Sequence, residues 1–210
     1  KLWWPAGMGA QPLYKVRVDV VDRDGKLLDS STKRIGLRTL KAVEQTKSTP
    51  MHFVANGVKF FSKGANWIPA DCFANRVTKD ILRRYVEDAV AANMNSLRFW
   101  GGGYYEEDAL FDACDELGVC IWMDFKFSCT TYPSFDDSFI ENVKLEARDN
   151  LKRLRHHPSI AVWCGNNEIM FFRGKEWSKD KMGENDYYKL FRDALGSQAN
   201  VRFVFQEPQC

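Results

Sequence analysis

Val119-Cys120-Ile121-Trp122-Met123 is a run of five apolar residues that ends in Asp124. A strand covered on both faces reads this way, as the strands of parallel sheets do. Outward from it, the same alternation of strand and helix continues in both directions. Residues 106–117 carry helical spacing and stop at Gly118, the C′ place that glycine favours. Before them, Ser96-Leu97-Arg98-Phe99-Trp100 is a second strand, stopped by Gly101-Gly102-Gly103. Earlier still, Thr78 can cap a helix running to about residue 93. On it Ile81, Leu82, Tyr85, Val86, Ala89 and Val90 are expected on one apolar face. Val58-Lys59-Phe60-Phe61-Ser62-Lys63-Gly64-Ala65-Asn66 reads as the strand before that helix. After the opening run, Phe139, Val143, Ala147, Leu151 and Leu154 mark a helix closed by His156-His157-Pro158. Ile160-Ala161-Val162-Trp163 is the next strand, and it leads into Cys164-Gly165-Asn166-Asn167-Glu168. The order β-α-β-α-β-α-β with short connections predicts an α/β fold, either a (β/α) TIM-type barrel or a doubly wound sheet. No G-x-G-x-x-G opens a helix, which argues against a dinucleotide site.

Residues 1–49 have another character. Leu13-Tyr14-Lys15-Val16-Arg17-Val18-Asp19-Val20 alternates as a half-buried strand does. Asp24-Gly25 is a hairpin turn signal, and further strands are expected at residues 26–30 and 32–40. These are too few to close a β-sandwich alone. The expected organisation is therefore residues 1–49 as C-terminal strands of a β-sandwich domain and residues 50–210 as the N-terminal, incomplete part of a (β/α) barrel.

Composition narrows the function. Across 210 residues, Lys+Arg 30 against Asp+Glu 28 leaves a net charge of +2, without the basic excess of a nucleic-acid binder. No run is long and apolar enough to span a membrane. The six cysteines, Cys72, Cys114, Cys120, Cys129, Cys164 and Cys210, form no C-x-x-C pair. They are expected as free thiols, which with the lack of a signal-peptide pattern points to a cytoplasmic setting. No metal site and no cofactor are predicted. His156 and His157 are adjacent and are expected to serve the helix dipole rather than a metal. Gly101-Gly102-Gly103 has no Lys-Ser/Thr after it and reads as a tight turn, not a phosphate loop.

In a barrel, functional residues project from the C-terminal ends of the strands. Here those ends offer Asn66 and Trp67, Arg98 and Trp100, Asp124, and Asn166, Asn167 and Glu168. Carboxylates and amides bind hydroxyls, and tryptophan faces cover the apolar face of a sugar ring. A neutral polyhydroxylated ligand suits such a pocket. Asp124 can line it or pair with Arg98. Trp3 and Trp4 are expected at the junction between the two parts of the chain.

Several segments together carry a family resemblance. Leu2-Trp3-Trp4-Pro5, Gln11-Pro12-Leu13-Tyr14, Lys63-Gly64-Ala65-Asn66-Trp67-Ile68-Pro69, Arg98-Phe99-Trp100-Gly101-Gly102-Gly103, Cys114-Asp115-Glu116-Leu117-Gly118 and Gly165-Asn166-Asn167-Glu168 resemble glycoside hydrolase family 2, in particular its β-mannosidase group. The resemblance implies the end of an immunoglobulin-like domain followed by the first half of a catalytic (β/α)8 barrel. It implies a retaining, exo-acting removal of terminal β-D-mannose, with Glu168 as general acid/base. Asn167 would hold the 2-hydroxyl, while Trp100 and Asp124 would line the terminal sugar subsite. Arg98 would support the carboxylates, and Trp177 would be a further pocket residue. The family's nucleophile is expected far downstream of the acid/base, and the stretch after Glu168 is too short for three more βα units. In Arg202-Phe203-Val204-Phe205-Gln206-Glu207, Glu207 reads as an ordinary surface carboxylate or, if an internal deletion joined the nucleophile strand here, as its relic. A truncated remnant that binds carbohydrate weakly is the alternative reading. The expected partner is then a carbohydrate substrate, not nucleic acid or membrane, with a missing barrel half or self-association completing the fold.

Overall fold

The computed structural model describes residues 1–43, 46–130, 132–133 and 136–169. The parallel strands form one sheet, β6 (Gly64–Trp67), β7 (Ser96–Phe99), β8 (Cys120–Asp124) and β9 (Ile160–Cys164), in the spatial order β6-β7-β8-β9. Each neighbouring pair is parallel and follows the chain order. Helices α1 (Lys79–Ala91), α2 (Asp108–Leu117) and α3 (Asp137–Leu154) connect them.

Each helix has a local cause. The Thr78 side chain accepts from the Ile81 N–H and starts α1. Asp136 accepts from Ser138 and Phe139 and starts α3. Gly118 ends α2 in the left-handed region, at φ 77°. One face of the sheet packs on the helices. Leu97, Phe99, Ile121, Met123 and Ile160 meet Leu82, Val86, Leu110, Phe111, Ala147 and Leu154 in the main core. Fully burying an aliphatic or aromatic side chain of this size contributes about 1.5–3 kcal/mol. The apolar face of α1 is narrower than its spacing predicts. Leu82 and Val86 are buried, but Ile81 and Tyr85 are exposed. The stripe of residues four apart reaches the sheet, and the flanking pair lies over its edge. There the Tyr85 ring meets the Trp67 ring edge-on at 5.7 Å.

The opposite face of the sheet is covered at its lower part by a small antiparallel sheet, β3 (Leu40–Val43), β4 (His52–Ala55) and β5 (Val58–Phe60). Ala42 and Phe53 bury Val162, with Met51, Phe60, Trp122 and Ala161 around them. The single strand expected from residue 58 onward is thus two strands. Val58–Phe60 closes the small sheet, and Gly64–Trp67 opens the parallel one. The pairing of β3 with β4 spans the place where the sequence changes character, near residue 49.

The first strands depart from expectation. β1 (Tyr14–Val21) and β2 (Leu27–Ile35) form a two-stranded antiparallel ribbon, turned at Asp22 and Gly25. Every residue of β1 is exposed, so its alternation buries neither face among the described residues. The strand expected over 32–40 divides between the end of β2 and the start of β3. The N-terminal segment itself is docked firmly. Trp3 is fully buried, and its indole N–H donates to the Asp115 carbonyl at 2.8 Å. Arg38 donates to the carbonyls of Pro158 and Ile160, and Arg34 pairs with Asp112 and Glu116 of α2.

Of the two histidines expected to serve the helix dipole, His156 is disfavoured as a cation. Burial lowers the His156 pKa below the ordinary imidazole value. His157 is buried with Nδ1 2.7 Å from Asp115, whose other oxygen accepts from the Ser159 N–H and hydroxyl. Adjacent side chains near a helix end point inward here, because Pro158 turns the chain straight into β9.

Candidate active site

The face of the parallel sheet away from the helices holds Asn66, Arg98, Trp122, Asp124 and Cys164 in register. The small antiparallel sheet covers this face only as high as Trp122 and Val162. Among the described residues the C-terminal strand ends stay clear of it, and the polar residues gather there.

Arg98 sits at the centre. Its Nη2 donates to Asp124 Oδ2 at 2.8 Å and to Asn167 Oδ1 at 2.7 Å, and its Nε to Asp124 Oδ1 at 3.3 Å. Asp124 is fully buried and also accepts from the Trp122 indole at 2.9 Å and the Gly101 N–H at 3.1 Å. Burial pushes its carboxyl pKa up, and the Arg98 charge and these donors oppose that shift. Asn167 is buried and fixed at both ends. Its N–H donates to Phe127, its carbonyl accepts from Cys129, and its amide Nδ2 donates to Cys129 Sγ at 3.2 Å. Glu168 follows as an exposed carboxylate. The Cys129 thiol reaches its Oε2 at 3.7 Å.

Two of the few non-glycine residues with positive φ meet here, Cys129 at 50° and Glu168 at 55°. Such conformations cost about 1–3 kcal/mol each and persist where the surroundings over-determine them. The short bridge of Ser128 to Asn167 does so, joining the loop after β8 to the loop after β9. Asn167 stays buried against Arg98, and Glu168 next to it is exposed.

Trp100 is half-buried at the head of the Gly101–Gly103 turn. A Cβ on Gly102 would lie 1.9 Å from the Trp100 ring, so this turn packs flat against the indole. Trp67 does not join the group. It faces the helices, packs on Phe99, and donates its indole N–H to the buried Glu106 at 2.8 Å. The alternation of a strand forces this, since Trp67 lies one residue past the inward-facing Asn66. The structure thus brings together Arg98, Asp124 and Asn167 by direct bonds. It places Glu168 and Trp100 at the same end of the sheet. Trp177 and Glu207 lie outside the described residues. Cys129 is the participant that sequence reasoning missed, because 38 residues separate it from Asn167 and no motif marks it.

Asp112, Asp115 and His157 are the group among the described residues whose ligand atoms could surround a metal ion. They lie away from the strand ends. Asp115 is already engaged by Ser159 and His157, and Asp112 by Arg34. That chemistry is a structural lock between α2 and the start of β9. Among the described residues Cys72, Cys114, Cys120 and Cys129 carry free thiols. No described helix is long and apolar enough to cross a membrane.

Comparison with known proteins agrees with the family resemblance seen in the sequence. Residues 1–38 match the model of glycosyl hydrolases family 2. The chain is 45% identical over 198 residues to a β-mannosidase of Capra hircus, covering 90% of this chain and 22% of that protein. It is 42% identical over 179 residues to β-mannosidase B of Thermothelomyces thermophilus, covering 83% of this chain and 21% of that protein. The crystal structure of a β-D-mannosidase from Dictyoglomus thermophilum superposes with a TM-score of 0.87 at 39% identity, covering 97% of this chain and 26% of that one. An exo-chitosanase of Amycolatopsis orientalis, at 21% identity and a TM-score of 0.78, shares the fold over 97% of this chain and 23% of its own. The chain spans about a fifth of the length of the curated relatives it matches. With 40–45% identity over most of its length, the chain belongs to family 2 of the glycosyl hydrolases, and its similarity within that family runs to the β-mannosidases.

Proposed function

We propose that this chain carries the acid/base half of a retaining β-mannosidase site. In this reading Glu168 protonates the glycosidic oxygen and then deprotonates the attacking water. Asn167 holds the 2-hydroxyl, Arg98 and Asp124 bind the rim of a terminal β-mannosyl unit, and Trp100 covers its ring. The observation that carries the reading is the Asp124–Arg98–Asn167 chain of bonds beside an outward-facing Glu168. It offers fixed donors and acceptors for sugar hydroxyls next to an exposed carboxyl, touched by the Cys129 thiol, that can move a proton. In the same reading, the four parallel strands are the first half of a (β/α)8 barrel. Residues 1–49 then belong to a preceding immunoglobulin-like domain, and Trp177 adds to the pocket.

A retaining reaction needs a second carboxylate about 5–5.5 Å from the first. Asp124 does not suit that role, because Arg98, Trp122 and Gly101 already occupy its oxygens. This engagement favours a second reading, in which the chain alone binds a mannoside without cleaving it. Hydrolysis of an aryl β-mannoside by the chain, beside the β-glucoside and β-galactoside, separates the two. Mannoside-selective hydrolysis that falls by about 10²–10⁴-fold in Glu168→Gln supports the catalytic reading. An unchanged rate in that variant overturns the role of Glu168. Mannoside binding without turnover establishes the second reading.

A further inference from the structure

Lys126 lies two residues past β8 and takes no part in the site described above. Its Nζ donates to the Trp100 carbonyl at 3.3 Å and stands 5.2 Å from the centre of the Tyr105 ring. Asp124 at the end of β8, Glu106 ahead of α2 and Glu146 of α3 are the carboxylates whose fields reach it. Arg153 of α3 closes the same region by donating to the Glu106 carbonyl and pairing with Asp108. The Trp100 carbonyl also accepts from the Gly103 N–H at 3.1 Å. A turn of three successive glycines has no stiffness of its own. Two bonds attach it to β8 and its continuation, the Gly101 N–H to Asp124 and the Lys126 amine to the Trp100 carbonyl.

We propose that Lys126 is a positioning residue for Trp100, tying the Trp100–Gly103 turn to the end of β8 through the Trp100 carbonyl. The proposal rests on the function proposed above only for the importance of where Trp100 stands. Burial lowers the Lys126 ammonium to about 8. If the turn swings away, the amine regains water and an ordinary value of about 10.4. The closed turn therefore binds the proton less tightly than the open one. Raising the pH from about 8 toward 10 favours the closed turn, by up to about tenfold per unit. The neutral amine still donates to the carbonyl.

The test is fluorine NMR of the full chain labelled with 5-fluorotryptophan, with the Trp100 resonance assigned by Trp100→Phe. In the unsubstituted chain that resonance is expected to shift and sharpen as the pH rises from about 8 toward 10. Lys126→Arg keeps a donor that stays charged, so its Trp100 resonance should not titrate in this range. Lys126→Met removes the tie and should move the resonance toward that of a solvent-exposed indole. A Lys126→Met chain with the original position and pH response overturns the proposal. So does a Lys126→Arg chain that titrates as before, which keeps the test decisive if Lys126→Met fails to fold. No hydrolysis is read, so a failure of the glycosidase reading leaves this result intact. A Trp100 indifferent to Lys126 in an active chain overturns this inference alone.

Discussion

Arg98 is the residue on which the strand-end cluster turns. It spends one guanidinium on a buried carboxylate and a buried amide at once. Arg98→Met would leave Asp124 with the Trp122 and Gly101 donors but no cation. Breaking a buried pair costs about 3–5 kcal/mol; a quarter of the Arg98 side chain is exposed, so about 2–4 kcal/mol is expected. The sign of the pH effect follows from Asp124. Its folded-state pKa already stands above the ordinary value, and loss of Arg98 raises it further. The folded variant then binds a proton more tightly than the unfolded chain, so its stability falls as pH rises from the ordinary aspartate value toward the raised one. Urea denaturation should show the gap between the two proteins widening as pH rises above the ordinary carboxylate range. A gap independent of pH would mean that Asp124 is not the group left exposed to the loss. Arg98, Asp124, Asn167 and Glu168 are proposed from the sequence because each lies at, or a few residues past, the C-terminal end of a strand. Trp67 was misread because one residue of register exchanges pocket for core. Cys129 carried no signal, since its partners are fixed by the meeting of two loops.

The elements follow closely from their end signals. Thr78 and Gly118 mark boundaries of α1 and α2, and the apolar runs mark β8 and β9. The helix periodicity was legible because one apolar face meets one sheet. The strands between residues 32 and 66 were less so. Short pieces such as β3 and β5 bury few residues, and nothing in their composition separates a strand from its connection. Gly118 shows how tightly an end signal is enforced. It is left-handed, and a Cβ there would lie 2.6 Å from the Ala6 nitrogen and 2.8 Å from Gln11 Nε2. Ala6 in turn donates to the Gly118 carbonyl at 2.8 Å. Gly118→Ala therefore strains α2 and dislodges the N-terminal segment together. The left-handed conformation alone costs about 1–2 kcal/mol for an L residue, and the clash adds to it. A loss of at least that size in urea denaturation is expected. A loss of a few tenths would show that the segment from Trp3 to Ala6 yields freely.

At the scale of the molecule, stability and exposure are divided unequally along the chain. The parallel sheet and its three helices hold nearly all the large buried side chains, while the β1–β2 ribbon holds none. Val16, Val18 and Val20 share one face of β1 and are 41%, 61% and 52% exposed. Their alternation is that of a strand meant for a core, yet the described residues bring nothing against it. The pattern was legible in the sequence, whereas its burial depends on what faces it. A paired measurement tests the division. Phe111 is fully buried against Phe99 and His157, and Phe111→Ala should cost about 3–5 kcal/mol. Val18→Lys replaces an exposed apolar side chain with a solvated one and should change stability by less than about 0.5 kcal/mol. Thermal and urea unfolding of both variants decide the matter. If Val18→Lys costs as much as a core truncation, the ribbon is covered in solution and its valines belong to a second core. If it is silent while Phe111→Ala is severe, the free energy of folding resides in the layer that positions Arg98, Asp124 and Asn167. The site then stands on the most stable part of the chain.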